Sequence, residues 1–277
     1  MNILPKDFDW KIYTTINSDL NHFYEKEAIQ HFIEHGYLEN RTYKLINLDN
    51  KNIVFITSKI YVSNVKFSYV NNRSIYTPEE RYNQTIETII SIRKNIPNSY
   101  IILFDNSIFE DKNYFNCLNN NVDKFINITN DETLNFYTDI YEYKAFSDIY
   151  QQLSFYNLFF KFVDLKSVKN IFKISGRYVI NSYFNFNDYD NHDIIFKKNK
   201  DVKDRDYYYT CFYKLTPNII HDYFDKLKFL LDNKSLYEND ISDLEVILPK
   251  LFIDKIKLIQ NLGITQRIAV INTIENI

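Results

Sequence analysis

The sequence predicts an α/β protein in which an open, mainly parallel sheet is flanked by helices and preceded by a small helical domain. Residues 52–62 are a continuous apolar run rich in β-branched residues, typical of a strand buried on both faces. A helical pattern at residues 81–96, stopped by Pro97, leads into a second apolar run at residues 99–107. A strand, a crossover helix and a parallel strand are the unit from which open α/β sheets are built.

The remaining patterns extend this sheet and cover it. Apolar stretches predict strands, and longer amphipathic stretches predict helices. The expected strands lie at 122–129, 170–180, 192–198 and 207–215, the last two as antiparallel partners, and the expected helices lie at 142–163, 219–233 and 242–254. We therefore expect one large domain at residues 52–277.

Residues 1–44 are expected to form a separate helical domain. The stripe of Ala28, Ile29, Phe32 and Ile33 predicts one face of a helix, and Gly36 is expected to end that helix as a left-handed C-cap. His31 and His35 lie four residues apart but lack a third metal ligand nearby. This domain either covers an edge of the large domain or recruits a partner. The covering role is favoured, and it predicts that deletion of residues 1–44 destabilises the chain.

Composition and charge exclude several classes of function. The net charge is -3 and the basic residues are interleaved with acidic ones, which argues against a nucleic-acid partner. Two cysteines without metal-ligand spacing indicate a reducing, cytoplasmic location. No stretch reaches the roughly 20 apolar residues of a membrane span.

Ligands of open α/β sheets bind at the carboxyl ends of the strands. This rule selects Thr57 and Ser58 after the first strand, Asp105 after the second, and the sequence Ser175-Gly176-Arg177 within residues 170–180. An arginine beside an apolar strand needs an anionic partner. We expect Arg177 to meet either the diphosphate of a ligand or a buried carboxylate.

Acidic residues provide candidates for a metal site and for acid–base chemistry. Asp188 and Asp190, with His192, are a weak candidate for a metal site because they lie in a polar stretch. Asp243 and Glu245 begin a predicted helix, where acidic residues are also favoured by the helix dipole. Apolar residues follow Glu245, so its side chain is the better candidate to point inward.

The large domain resembles GT-A-type glycosyltransferases, in particular a group found in large DNA viruses and in bacterial surface-polysaccharide clusters. The resemblance is carried by the segments VFITSKIYVS, YTPEERYNQTIETIISIRKNIPNSYIILFDNS, NIFKISGRYVI, and SDLEVILPKLF with LGITQRIAV, and by the lysine in YEYKAFSD. It implies a Rossmann-like GT-A sheet and transfer of a sugar from a nucleotide-sugar donor, with UDP-sugars favoured, to a glycan or glycoprotein acceptor. A non-catalytic glycan-binding or scaffolding relative is the alternative.

The resemblance also implies roles for individual residues. Thr57, Ser58, Arg81 and Asp105 would contact the nucleotide, and Lys144 would face the donor. Glu245 or Asp243 would deprotonate the acceptor hydroxyl in an inverting reaction. Ser175-Gly176-Arg177 stands where such enzymes often carry a metal-binding Asp-x-Asp motif. This departure is compatible with a metal-independent reaction in which Arg177 replaces the cation, with Mn²⁺ or Mg²⁺ as the alternative cofactor.

Overall fold

The computed structural model describes residues 4–39, 41–67, 71–189, 192–199, 206–234, 244–268 and 273–277. The helices are α1 Trp10–Ile16, α2 Glu25–His31, α3 Pro78–Asn95, α4 Lys112–Asn121, α5 Glu132–Asn135, α6 Lys144–Leu158, α7 Ile220–Asp232 and α8 Leu244–Lys250. The strands are β1 Lys51–Ser58, β2 Ser99–Asp105, β3 Lys124–Asn127, β4 Val168–Ser175, β5 Val179–Ile180, β6 Ile194–Lys198, β7 Tyr208–Leu215, β8 Ile256–Leu258, β9 Ile264–Ile268 and β10 Thr273–Asn276.

Within the described ranges, seven strands form one sheet in the order β3-β2-β1-β4-β7-β6-β8. The pairs β3–β2, β2–β1, β1–β4 and β6–β8 are parallel, and β7 runs antiparallel to both β4 and β6. The predicted class, a mainly parallel sheet flanked by helices, is therefore confirmed. A smaller antiparallel sheet has the order β10-β9-β5.

The alternation of side chains along β1 divides the apolar interior between the two faces of the sheet. Ile53 and Phe55 belong to the core under α6 and α7, whereas Val54 and Ile56 belong to the core under α3. All four side chains are fully buried, which explains the continuous apolar run in the sequence. A third, smaller core lies within residues 4–43 and contains Tyr13.

The expectation of one strand over residues 170–180 is wrong. β4 ends at Ser175, whose carbonyl accepts hydrogen bonds from the backbone N–H groups of Arg177 (2.8 Å) and Tyr178 (3.1 Å). This turn moves the chain out of the large sheet, so that β5 pairs with β9 instead. The turn places Arg177 at the end of the sheet.

The expected left-handed C-cap at Gly36 is also wrong. Gly36 is the last residue of a π-helical turn, Phe32–Gly36, that directly follows α2. Among the described glycines, Gly263 alone has a positive φ. The need for glycine at position 36 is steric, because a Cβ atom there would lie 2.2 Å from the hydroxyl of the buried Tyr13.

No helix in the described part of the chain is long and apolar enough to cross a membrane.

Candidate functional site

A cavity of about 280 Å³ lies at the carboxyl ends of β1 and β4. Its walls come from the loop after β1, from α3, α6, β7 and α8, and from the turn after β4. Seven predicted site residues line it together: Thr57, Ser58, Arg81, Lys144, Ser175, Arg177 and Glu245. The strand-end rule had selected four of them, Thr57, Ser58, Ser175 and Arg177, which are distant in sequence and adjacent in the fold.

Two acidic candidates within the described residues, Asp105 and Asp188, do not line this cavity. Asp105 is fully buried, and its carboxylate accepts hydrogen bonds from the backbone N–H groups of Ile60 (3.0 Å) and Ser107 (2.6 Å). It therefore fixes the loops that follow β1 and β2. Asp188 lies in a short 3₁₀ turn and accepts a hydrogen bond from Asn185. Asp190 and Asp243 lie outside the described residues.

Gly176 does not line the cavity, but its backbone hydrogen bonds join the end of β4 to β1 and to α3. Its N–H donates to the carbonyl of Thr57 (2.9 Å), and its own carbonyl accepts from the hydroxyl of Thr85 (2.8 Å). A Cβ atom at this position would lie 3.2 Å from Ser58 Cβ and 3.2 Å from Thr85 Oγ1. The absence of a Cβ atom therefore allows close packing between the end of β4, β1 and α3.

Two arginines face the cavity without a carboxylate partner among the described residues. Arg81 is 5% exposed, and it donates to the carbonyl of Lys59 (2.6 Å) and the hydroxyl of Ser74 (3.1 Å). Burial, and then the positive charge of Arg177, lower the pKa of Arg81 to about 9, although Asp105 opposes this shift. Arg177 has a buried Nε that finds no hydrogen-bond partner in the described residues. Of the two predicted partners for Arg177, a ligand anion fits this arrangement better than a buried carboxylate.

Lys173 is a further cation at the site, and it is buried. The residue is 1% exposed, and its ammonium donates to Asp148 Oδ2 (3.3 Å), to Ser175 Oγ (3.4 Å) and to the carbonyl of Thr210 (3.2 Å). Sequence reasoning missed both Lys173 and Asp148. A lysine in the middle of the apolar run NIFKI was the available signal, because a buried lysine requires a partner.

Glu245 faces the cavity from α8, as the apolar residues after it predicted. Its Oε1 accepts a hydrogen bond from the hydroxyl of Thr210 (3.0 Å) on β7. This bond fixes the orientation of the carboxylate. Cys211 also lines the cavity, but burial raises the pKa of its thiol to about 12, so that it is protonated and not a nucleophile.

Two further cations complete the cavity wall. Lys59 Nζ lies 2.9 Å from Asp139 Oδ1. Arg73 is buried and donates to the carbonyls of Val65 (2.7 Å) and Thr138 (3.1 Å), which joins the loop after β1 to a π-helical turn at Phe136–Ile140. In the part of the chain that the structure describes, six cationic and two anionic side chains line the cavity. A chain of net charge -3 thus concentrates positive charge at this site.

The residues at the end of β4 do not fit a divalent cation. They offer a guanidinium, a hydroxyl and a glycine, whereas Mg²⁺ and Mn²⁺ prefer carboxylate oxygens. The two lining carboxylates, Asp148 and Glu245, are already bonded to Lys173 and Thr210. Within the described residues, no three His, Cys, Asp or Glu side chains group as a metal site.

Comparisons with known proteins give similarity of shape alone. No family model matches the chain, and no curated protein matches it in sequence. The structure of the glycosyltransferase GlyE of Streptococcus pneumoniae TIGR4 is similar over 76% of this chain and 45% of its own, with 10% identity and a TM-score of 0.44. The apo form of GlyE has the same coverage and identity and a TM-score of 0.40.

A third solved structure, a transferase with two cysteine-to-serine substitutions, is similar over 80% of this chain and 96% of its own. Its identity to this chain is 12% and its TM-score is 0.33. The chain spans less than half the length of GlyE. Similarity at this level does not define an activity, which has to be inferred from the cavity.

Proposed function

We propose that the chain is a glycosyltransferase that moves a sugar from a nucleotide-sugar donor to a hydroxyl group of a glycan or glycoprotein. The observation that carries this proposal is the cavity itself. It lies at the carboxyl ends of parallel strands, holds an excess of cations with Arg177 Nε unpartnered, and presents one oriented carboxylate, Glu245. These groups match a negatively charged diphosphate leaving group and a hydroxyl nucleophile that must lose a proton.

The donor is assigned to the cationic side of the cavity. Arg81 and Arg177 meet the diphosphate, because a guanidinium provides several donors in a geometry that suits phosphate oxygens. Thr57 and Ser58 are 6% and 7% exposed, and their hydroxyls contact the nucleotide from the end of β1. Lys144, at the first turn of α6, adds a further positive charge. UDP-sugars are the favoured donors.

Glu245 acts as the general base in an inverting reaction. The acceptor oxygen attacks the anomeric carbon while its proton passes to the carboxylate of Glu245. The bond between the anomeric carbon and the phosphate oxygen breaks, and the diphosphate leaves with the electron pair. Arg177 and Arg81 stabilise the negative charge that develops on this leaving group. In this scheme the two guanidiniums take the electrostatic role of a divalent cation, and the reaction is metal-independent.

Thermal shift against UDP, GDP, CMP and dTDP sugars, each with EDTA and with Mn²⁺, tests the proposal. A donor that binds the folded chain raises its melting temperature by mass action. We expect a UDP-sugar to do so equally in EDTA and in Mn²⁺. Arg177→Ala should weaken this binding roughly 10- to 100-fold, the usual cost of a lost hydrogen bond to a charged group.

The matched control is Arg93→Ala, which removes an arginine paired with Asp123 on the surface of α3. It should leave nucleotide binding unchanged. A shift that requires Mn²⁺ would contradict the metal-independent scheme. If no nucleotide shifts the melting temperature, a non-catalytic glycan-binding or scaffolding relative becomes the better description.

A further inference from the structure

One wall of the cavity is a face of α6 that sequence reasoning recognised only at its first residue. Lys144, Ser147, Asp148 and Gln151 all line the cavity. Their spacing of three, four and seven residues places them on one side of the helix. The helix therefore presents a polar strip to the cavity, although its other side packs into the core through Phe146, Ile149 and Phe155.

Gln151 is the unexplained member of this strip. It is 8% exposed, yet its side-chain amide makes no hydrogen bond with any described residue. Gln152, in contrast, is fully buried, and its Oε1 accepts hydrogen bonds from the hydroxyls of Tyr213 (2.8 Å) and Tyr223 (2.7 Å), whereas its Nε2 has no partner among the described residues. The amide of Gln151 keeps some exposure at the surface of the cavity. Gln151 is thus placed to donate to and accept from a ligand in the cavity.

Hydrogen bonds link Asp148 on this strip to Glu245, the proposed general base. Asp148 Oδ2 accepts from Lys173, Lys173 also donates to the carbonyl of Thr210, and the hydroxyl of Thr210 donates to Glu245. This chain of hydrogen bonds connects the strip on α6 to the proposed general base. In the proposed reaction the transferred sugar lies between the diphosphate and that base, and the strip lines the same cavity as Arg177 and Glu245.

We propose that Gln151 and Asp148 form the subsite for the sugar ring of the donor. The proposal rests on the proposed function. An amide and a carboxylate together provide a donor and acceptors for ring hydroxyl groups.

Calorimetric titration of the full chain with UDP and with UDP-glucose or UDP-galactose tests the role of Gln151. Gln151→Met keeps length and helix propensity and removes the amide. We expect the variant to bind UDP as the wild type does and to bind the better UDP-hexose about 3- to 10-fold more weakly, the usual effect of a lost neutral hydrogen bond. Its melting temperature without ligand should be unchanged or higher, because the replaced amide has no hydrogen-bond partner among the described residues.

Gln152→Met is the matched control. It should lower the melting temperature, since it removes the acceptor of two buried tyrosine hydroxyls, and should leave the ratio of UDP-hexose to UDP affinity unchanged.

Two results would overturn the subsite. Equal weakening of UDP and UDP-hexose by Gln151→Met would place Gln151 at the nucleotide, and no effect on either would remove it from the site. Failure of the wild type to bind UDP and every UDP-sugar is a different result, which refutes the proposed function together with the subsite.

Discussion

At the scale of single residues, the positive charges of the two cavity arginines are electrostatically unfavourable in the folded protein. Arg81 is almost completely buried and bonds to a carbonyl and a hydroxyl, and Arg177 adds a like charge nearby. A buried cation without a counter-ion is unfavourable, so such an arrangement is expected where an anion binds. Arg177 was predictable because it follows an apolar strand. The burial of Arg81 was not, since the helical pattern of α3 does not show which polar residue lies under the loop after β1.

A substitution of the proposed base tests its role directly. Glu245→Gln keeps the oxygen that accepts from Thr210 and removes the negative charge. We expect the rate constant for donor turnover to fall about 10²- to 10⁴-fold, the usual contribution of a general base, with donor affinity unchanged. The rate of UDP release from the bound donor under single-turnover conditions measures this, with water as the acceptor.

Glu87→Gln provides the control for this substitution. Glu87 lies on α3 and pairs with Arg267 outside the cavity, so its loss should leave the turnover rate unchanged. A Glu245→Gln variant that turns over donor at the rate of the wild type would assign proton transfer to another group. Asp243 would then be the next carboxylate to test.

At the scale of elements, strands and helices were predicted best where all residues of a segment lie in the same kind of environment. β1 and β2 are buried on both faces and read as continuous apolar runs, and α3 begins with the capping box of Thr77 and Glu80. β9 and β10 were missed because they are short and carry alternating polar residues. The wall on α6 was missed because a polar strip on a helix normally faces solvent, and only the folded chain shows that this strip faces a cavity.

The packing of α2 against α1 yields a prediction for Gly36. Gly36→Ala would place a Cβ atom 2.2 Å from the hydroxyl of Tyr13, which is hydrogen-bonded to His31. The ring of Tyr13 must then move, so we expect the free energy of unfolding of residues 1–44 to fall by about 1–3 kcal/mol. Urea unfolding followed by circular dichroism measures the change.

A double-mutant cycle with Tyr13→Phe gives this prediction its control. Removal of the hydroxyl also removes the closest contact of the new methyl group. The double variant should therefore be less destabilised than the sum of the two single variants. Strict additivity would show that the contact with the hydroxyl is not the cause.

For the whole molecule, the arrangement of the apolar cores bears on the role of residues 1–44. The small core around Tyr13 and Phe32 is separate from the two cores of the large sheet. Hydrogen bonds such as those of Arg41 to Asp19 and of Lys44 to Asp7 also stay within these residues. This separation favours a recruiting role over the covering role that the sequence favoured.

Deletion of residues 1–44 distinguishes the two roles. The cut precedes Ile46, whose backbone bonds to Phe162 and Asp164 of the large domain. We expect the truncated chain to melt within a few degrees of the full chain, because no apolar core is opened by the cut. Calorimetry measures this. A decrease of ten degrees or more, corresponding to about 3 kcal/mol or above for a domain of this size, would restore the covering role.

The parallel pairing of β1 with β4 has a consequence for how the protein folds. This pairing joins Ile53 to Ile171, and the cavity needs both strands as well as β7 and α8. Contacts between residues so distant in sequence require closure of long loops, and proteins with high contact order fold slowly. No N-terminal fragment that lacks α8 contains the whole cavity wall. Under the proposed function, the gain of nucleotide affinity during refolding would therefore report the completion of the central sheet.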